Sequence, residues 1–153
     1  MRVSTNVLTL HKFFNMYTHE YSKRVRYGET DQMGYLYYGN YAQYYEIGRV
    51  EMLRSLGLTY REMEADMGVL MPVVSMNIRY VRPARYDELI TIRTALRQLP
   101  GRFIVFHVEL HNEDKKLVNG ATVKLCFVEA ESGKTIAAPS VLLAKLKPYF
   151  EKV

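Results

Sequence analysis

Tyr27-Gly28-Glu29-Thr30-Asp31-Gln32-Met33-Gly34-Tyr35-Leu36-Tyr37-Tyr38-Gly39-Asn40-Tyr41 is a turn-rich stretch that delivers one carboxylate, Asp31, to the start of a helix. Glycines at 28, 34 and 39 punctuate it, so neither a helical nor a strand period survives across it. Asn40 has the chemistry of a helix cap, and Gln43 three residues on completes a capping-box pattern. Tyr41, Tyr45, Gly48, Met52 and Leu56 then share one helical face, and Gly57 supplies the stop. A glycine in mid-helix costs about 1 kcal/mol relative to alanine, so Gly48 predicts close approach of this face to something flat, such as a sheet. Thr59 and Glu62 form a second capping box that opens a second, short helix.

Outward from the helix, the chain turns to strand patterns. Tyr21 to Tyr27 alternates enough to be a first strand. After Gly68, four β-prone runs follow at 69–81, 88–99, 102–112 and 116–130, separated by short segments rich in Pro, Gly, Asn and Asp. Four consecutive strands with short connections predict an antiparallel meander. One long helix between an early strand and this run makes an α+β domain, with an antiparallel five-stranded sheet wrapped around one long central helix. Pro139 to Phe150 reads as a C-terminal edge segment or helix.

Composition bounds the function classes. The chain has 153 residues, the size of one ordinary domain, with 48% hydrophobic and 24% charged residues, which excludes disordered, collagenous and coiled-coil readings. The expected division is an N-terminal extension at 1–20 and a single domain at 21–153. His11 and Lys12 interrupt the patch Val7-Leu8-Thr9-Leu10 before a signal peptide's apolar region forms. Met16, just before the first strand, leaves open an ordered extension or a misassigned start. No stretch approaches the roughly 18 apolar residues of a membrane span. Cys126, the single cysteine, sits in an apolar run, so no internal disulfide forms and a reducing, cytoplasmic setting is expected. The formal net charge of +5 and pI near 9.3 favour an anionic partner or simply a solvated basic surface. The basic residues are scattered, with no long block and no nucleic-acid motif, so nucleic acid is an unlikely partner and a small polyanion fits better.

Asp31 is the residue on which chemistry turns. A carboxylate is ionised at neutral pH, and seven residues on, Tyr38 and Gly39 begin a helix whose first N–H groups are free and lie at the positive dipole end. A nucleophile or base beside such an oxyanion site is what acyl transfer requires. The alternative is that Asp31 only builds a turn, since Asp followed three residues later by Gly34 is a common type I pattern. Among His11, His19, His107 and His111, only the last two share an i, i+4 spacing, and on a strand they lie on one face without converging, so no metal is expected.

Thr30-Asp31-Gln32-Met33-Gly34 with Tyr37-Tyr38-Gly39-Asn40-Tyr41, Tyr45-Glu46, Arg49, Glu51, Tyr80, Pro83 and Asp87-Glu88 resembles the signature of the 4-hydroxybenzoyl-CoA thioesterase family, close to the small bacterial acyl-CoA thioesterases. The resemblance extends to about Pro139 and implies the hotdog fold. It implies hydrolysis of an acyl-CoA to free acid and CoA, with Asp31 as nucleophile or general base. No cofactor is expected, CoA being part of the substrate. Tyr38 stands where many of these enzymes have histidine and the 4-hydroxybenzoyl-CoA enzyme has tyrosine. If that position works through its backbone N–H, together with Gly39, the side chain is free to vary; a tyrosine hydroxyl, with an ordinary pKa near 10, is a poor base at pH 7. Glu46 and Glu51 offer a second carboxylate, although Glu46 paired with Arg49 is the ordinary reading. Tyr35, Tyr41, Tyr44 and Tyr45 are candidates to line the acyl pocket, with core packing as their alternative. Arg79, Arg82, Arg85, Arg102 and Lys134 are candidates for the CoA phosphates. The family builds its site between subunits, so a homodimer or homotetramer is expected. Two rival readings are an acyl-carrier-protein thioesterase and a non-catalytic acyl-thioester or nucleic-acid binding module.

Overall fold

The structure, a computed structural model, describes residues 15–151. His11 and most of the expected N-terminal extension lie outside them. Strand β1 (Tyr17–Arg24) leads through the turn-rich loop to helix α1 (Tyr41–Ser55), and a short helix α2 (Tyr60–Ala65) follows. The rest of the sheet is β2 (Val69–Leu70), β3 (Val73–Tyr80), β4 (Leu89–Leu96), β5 (Phe103–His111), β6 (Leu117–Glu129) and β7 (Thr135–Ile136), closed by helix α3 (Ser140–Leu146).

The architecture is α+β, with a sheet lying against one long helix, as expected. Among the described residues it has seven strands instead of five. The two additions, β2 and β7, are two-residue pairings on the far half of the 13-residue β6, which is long enough to serve two sets of partners. Pro72 is the reason that the predicted run at 69–81 divides into β2 and β3, since it has no N–H to offer a ladder. The first strand spans Tyr17–Arg24, earlier than the predicted Tyr21–Tyr27, because residues 27–29 wind into a 3₁₀ turn.

The meander also needs correction. The long strands run β1-β4-β5-β6-β3, all antiparallel, so only β4, β5 and β6 form a meander. β4 already has β1 on one edge and β5 on the other, which leaves β3 the open edge of β6. The connection from β3 to β4 is therefore a crossover in which Val81 and Arg82 N–H bond to the Val118 carbonyl, and Asp87 turns the chain with φ of 68°.

Burial alternates along β4 and β5, so Ile90, Ile92, Thr94 and Leu96 face inward with Ile104, Phe106, Val108 and Leu110. Against them α1 buries Tyr41, Tyr44, Tyr45, Gly48, Met52 and Leu53. Gly48 explains how closely helix and sheet meet: a Cβ there would lie 2.4 Å from Thr94 Oγ1 and 2.7 Å from Ile92 Cγ2. The helix ends as predicted, with Gly57 at φ of 80°, the Leu58 N–H on the Leu53 carbonyl and the Gly57 N–H on the Arg54 carbonyl. The capping box of Thr59 and Glu62 is present at α2. Asn40 does not cap α1 with its side chain, because its backbone is already helical, at φ of −92° and ψ of −8°, and its amide nitrogen donates instead to the Glu29 carbonyl. The C-terminal segment is helical, and Leu142 and Leu146 of α3 are buried in the core.

Candidate active site

Asp31 sits in a tight loop held at both ends by the fold. Thr30 and Leu36 form one isolated bridge, Tyr35 and Arg85 another, and the Leu36 N–H bonds to the Ala84 carbonyl at 2.7 Å. Within the loop, Asp31 N–H reaches the Tyr35 carbonyl at 2.8 Å, and the Gly34 N–H, from a residue at φ of 80°, reaches the Asp31 carbonyl at 2.9 Å. The Asp31 side chain takes part through one oxygen: Oδ1 accepts the N–H of Met33 at 2.9 Å and of Tyr35 at 3.2 Å. The turn reading is thus correct for Oδ1, while no hydrogen bond among the described residues engages Oδ2. A half-buried carboxylate with one oxygen clamped and the other open is an oriented group, not a freely rotating one.

The helix start is tied to the same loop, since the Glu29 carbonyl accepts the Tyr37 N–H and the Asn40 side-chain amide, both at 2.9 Å. Residues 38–40 form a 3₁₀ turn that runs directly into α1, and its first bond is from the Asn40 N–H to the Tyr37 carbonyl at 2.9 Å. The N–H groups of Tyr38 and Gly39 precede that bond and have no earlier helical carbonyl to reach. They stand at the positive end of the helix, where an oxyanion is favoured. Tyr80, from the end of β3, pins this turn by donating its hydroxyl to the Tyr38 carbonyl at 3.1 Å.

The phenols around Asp31 are donors. A hydrogen bond with Tyr38 and the charge of that neighbour raise the Tyr37 pKa, with Asp31 adding to the effect. Burial raises that of Tyr41 despite a hydrogen bond to the Ala84 backbone, and the charges of Tyr80, Glu88 and Asp31 push the same way. Both hydroxyls are thereby held protonated at neutral pH.

The other sequence candidates divide. Tyr35 is half-buried beside the loop, and the Arg85 guanidinium carbon lies 5.5 Å from its ring centre. Arg82 is exposed in the same crossover. Tyr41 and Tyr80 meet edge to face at 5.3 Å, which links the helix start to β3. Tyr44 and Tyr45 are fully buried, and Tyr45 gives its hydroxyl to the buried Asn119, so both side chains are committed to the core. Glu46 is exposed on α1 and pairs with no cation among the described ion pairs; Glu51 with Arg54 at 3.2 Å is the helix pair actually formed, which corrects the Glu46–Arg49 expectation. Arg49 lies instead beside Tyr60, whose hydroxyl burial pushes up to about 12.

Arg102 is in the β4–β5 turn, at the opposite end of β4 from the Asp31 loop, and Lys134 is near β7, so within one subunit neither joins Asp31. Arg79 lines a groove of about 550 Å³ on the outer face of the sheet with Arg93, Arg97, His107 and Glu109. That groove faces away from α1 and holds none of the Asp31 loop. Cys126 is free and buried.

Sequence reasoning assigned no role to Glu29. Its carboxylate is 16% exposed and takes the Lys23 ammonium on both oxygens, the Tyr44 hydroxyl at 2.5 Å and the Arg26 N–H at 3.3 Å. Burial would raise its pKa, yet the hydrogen bonds from Lys23 and Tyr44 and the Lys23 charge carry it below the usual carboxylate value. The signal that could have found it was Tyr44, a tyrosine on the buried helix face whose hydroxyl needs a partner.

The profile of the thioesterase superfamily matches residues 33–119. The Bacillus subtilis protein YneP is 39% identical over 112 residues, covering 73% of this chain and 80% of its own. The acyl-CoA thioester hydrolase YbgC of Escherichia coli is 32% identical over 124 residues, covering 81% of this chain and 92% of its own. The DHNA-CoA thioesterase of Staphylococcus aureus superposes with a TM-score of 0.71 at 30% identity over 80% of each chain.

Proposed function

This chain belongs to the thioesterase superfamily and has its hotdog fold, and on that premise we propose that it is an acyl-CoA thioesterase whose reacting group is Asp31. The carrying observation is the half-clamped carboxylate, Oδ1 fixed by two backbone N–H groups and Oδ2 without a partner among the described residues, on a loop whose Glu29 carbonyl holds both sides of the turn that bears the Tyr38 and Gly39 N–H groups. A thioester carbonyl seated on those N–H groups is polarised as its oxygen gains charge. Oδ2 then either attacks the carbonyl carbon, expelling the CoA thiolate and leaving a mixed anhydride for water to open, or takes a proton from the water that attacks. Both routes give a free acid and CoA. Tyr38 serves through its main chain, so a tyrosine in place of histidine keeps the function. CoA enters as part of the substrate, and no separate cofactor is needed by either route.

The proposal includes a homo-oligomer. Among the described residues β3 pairs with β6 alone, and Val73, Val74 and Met76 along it are between 42% and 52% exposed, an apolar edge that a second copy would cover. An acyl site completed by a second subunit also accounts for Asp31 lying in a shallow loop within one chain. Arg82 and Arg85 are the proposed phosphate partners on the Asp31 side, with Arg102 available from a neighbouring subunit. The lone buried thiol of Cys126 supports a reducing, cytoplasmic setting.

Thiol release from a panel of short, long and aromatic acyl-CoAs, run on wild type and Asp31→Ala, is the test. Turnover of at least one member, with the folded alanine variant a hundredfold slower or worse, is the expected result. Acyl-pantetheine substrates in the same panel separate dependence on the nucleotide end of CoA from hydrolysis of any thioester. No turnover of any member, or a fully active alanine variant, refutes the assignment.

A further inference from the structure

We propose that Glu29 is a positioning residue for the hydrolysis, an anchor that joins β1, α1 and the loop and helps set the distance between Asp31 and the N–H groups of Tyr38 and Gly39. The inference rests on the assignment of those groups above. Two residues before Asp31, the Glu29 carbonyl accepts the Tyr37 N–H at 2.9 Å and the Asn40 side-chain amide at 2.9 Å. Those two donors flank Tyr38 and Gly39, so one peptide group ties the strand entering the Asp31 loop to both sides of the helix start.

The side chain fastens that peptide to the scaffold. Oε1 accepts from Lys23 and from the Arg26 N–H, and Oε2 from Lys23 and the Tyr44 hydroxyl. A carboxylate has about four lone-pair sites, and all are occupied, so Glu29 has no free oxygen with which to act on substrate. Lys23 belongs to β1 and Tyr44 to the buried face of α1. The ammonium also lies 4.5 Å from the Tyr44 ring centre, which braces the three side chains against one another. Strand, loop and helix therefore converge on one residue. A displacement of about 1 Å in a reacting group costs on the order of a hundredfold in rate, so slack at this anchor is felt in the chemical step.

The experiment combines steady-state kinetics on a hydrolysed acyl-CoA with backbone hydrogen exchange, for wild type, Glu29→Ala, Tyr44→Phe and the neutral pair Lys23→Met with Glu29→Gln. Glu29→Ala is expected to lower kcat ten- to hundredfold with KM changed less than threefold, and to speed exchange at residues 35–40 while β5 keeps its protection. The neutral pair retains an acceptor for the Tyr44 hydroxyl and is expected to restore kcat to within threefold of wild type. Should Glu29→Ala melt below the assay temperature, Tyr44→Phe carries the test, with a three- to tenfold loss in kcat expected. Wild-type kcat in both Glu29→Ala and Tyr44→Phe overturns the proposal, as does a loss confined to KM or exchange that rises equally in β5. Failure of the Asp31 assignment is read separately, from an active Asp31→Ala with exchange at 35–40 still dependent on Glu29.

Discussion

Replacing Gly48 by alanine tests the seat on which the whole site is built. The new Cβ would lie 2.4 Å from Thr94 Oγ1 and 2.7 Å from Ile92 Cγ2, about 0.8 Å or more inside the roughly 3.5 Å at which such atoms rest. Both neighbours are β-branched side chains of β4, stiff at χ1, so neither swings aside and the helix must retreat. Overpacking of this kind costs about 1–3 kcal/mol; two obstructing contacts place it near the upper end, and the gain of about 1 kcal/mol in helix propensity leaves about 2 kcal/mol. For a chain of this size that is a fall in Tm of about 4–8 °C. Thr94 Oγ1 is buried with no hydrogen-bond partner among the described residues, so Thr94→Ala removes one obstruction without breaking a described polar contact. In that background Gly48→Ala should be milder by at least about 0.5 kcal/mol, a coupling that a double-mutant cycle of thermal or urea unfolding detects. Because the turn that bears Tyr38 and Gly39 runs directly into α1, kcat should fall along with Tm. A Gly48→Ala variant as stable as wild type, or an additive cycle, would show that α1 does not approach β4 as described.

Asp31→Asn keeps an oxygen able to accept the Met33 and Tyr35 N–H groups, so its Tm should stay within about 2 °C of wild type while kcat drops at least a hundredfold; a large loss of stability would mean that the charge itself builds the turn. Glu29 sits below the ordinary carboxylate value of 4.5, so its ionised form contributes stability that is present above that pH and lost as pH falls through the lower folded value. Acid unfolding followed by circular dichroism should accordingly show wild type losing stability below pH 4.5 more steeply than the neutral pair Lys23→Met with Glu29→Gln, and parallel curves would contradict this. Met76→Glu on the open edge of β3 should lower the mass seen in sedimentation equilibrium towards one chain and reduce kcat with it; an unchanged assembly would move the interface elsewhere.

Much of the fold was legible because its signals are local. Gly57 and the capping box of Thr59 and Glu62 act within one turn of chain, and the structure has them where the sequence places them. The pairing order was not local. Short connections suggested that β3 pairs with β4, but β1, distant in sequence, occupies that edge, and competition among non-adjacent strands leaves no mark on any single segment. Asn40 is no side-chain cap because the chain is already wound at residues 38–40, and its amide nitrogen finds a carbonyl 11 residues earlier.

Sequence by itself determined that a long helix with a glycine-notched face would lie against β strands, and that Asp31 would stand in a tight loop just ahead of the helix start. These follow from period, spacing and turn chemistry, which operate over a few residues. Only the tertiary structure decided that Asp31 gives one oxygen to the turn and keeps the other, that Tyr45 belongs to the core, that Arg102 lies at the far end of β4, and that Glu29 joins β1, α1 and the loop. Each depends on where groups far apart in the chain come to rest, and buried hydrogen bonds, whose partners must be found in three dimensions, fix those positions.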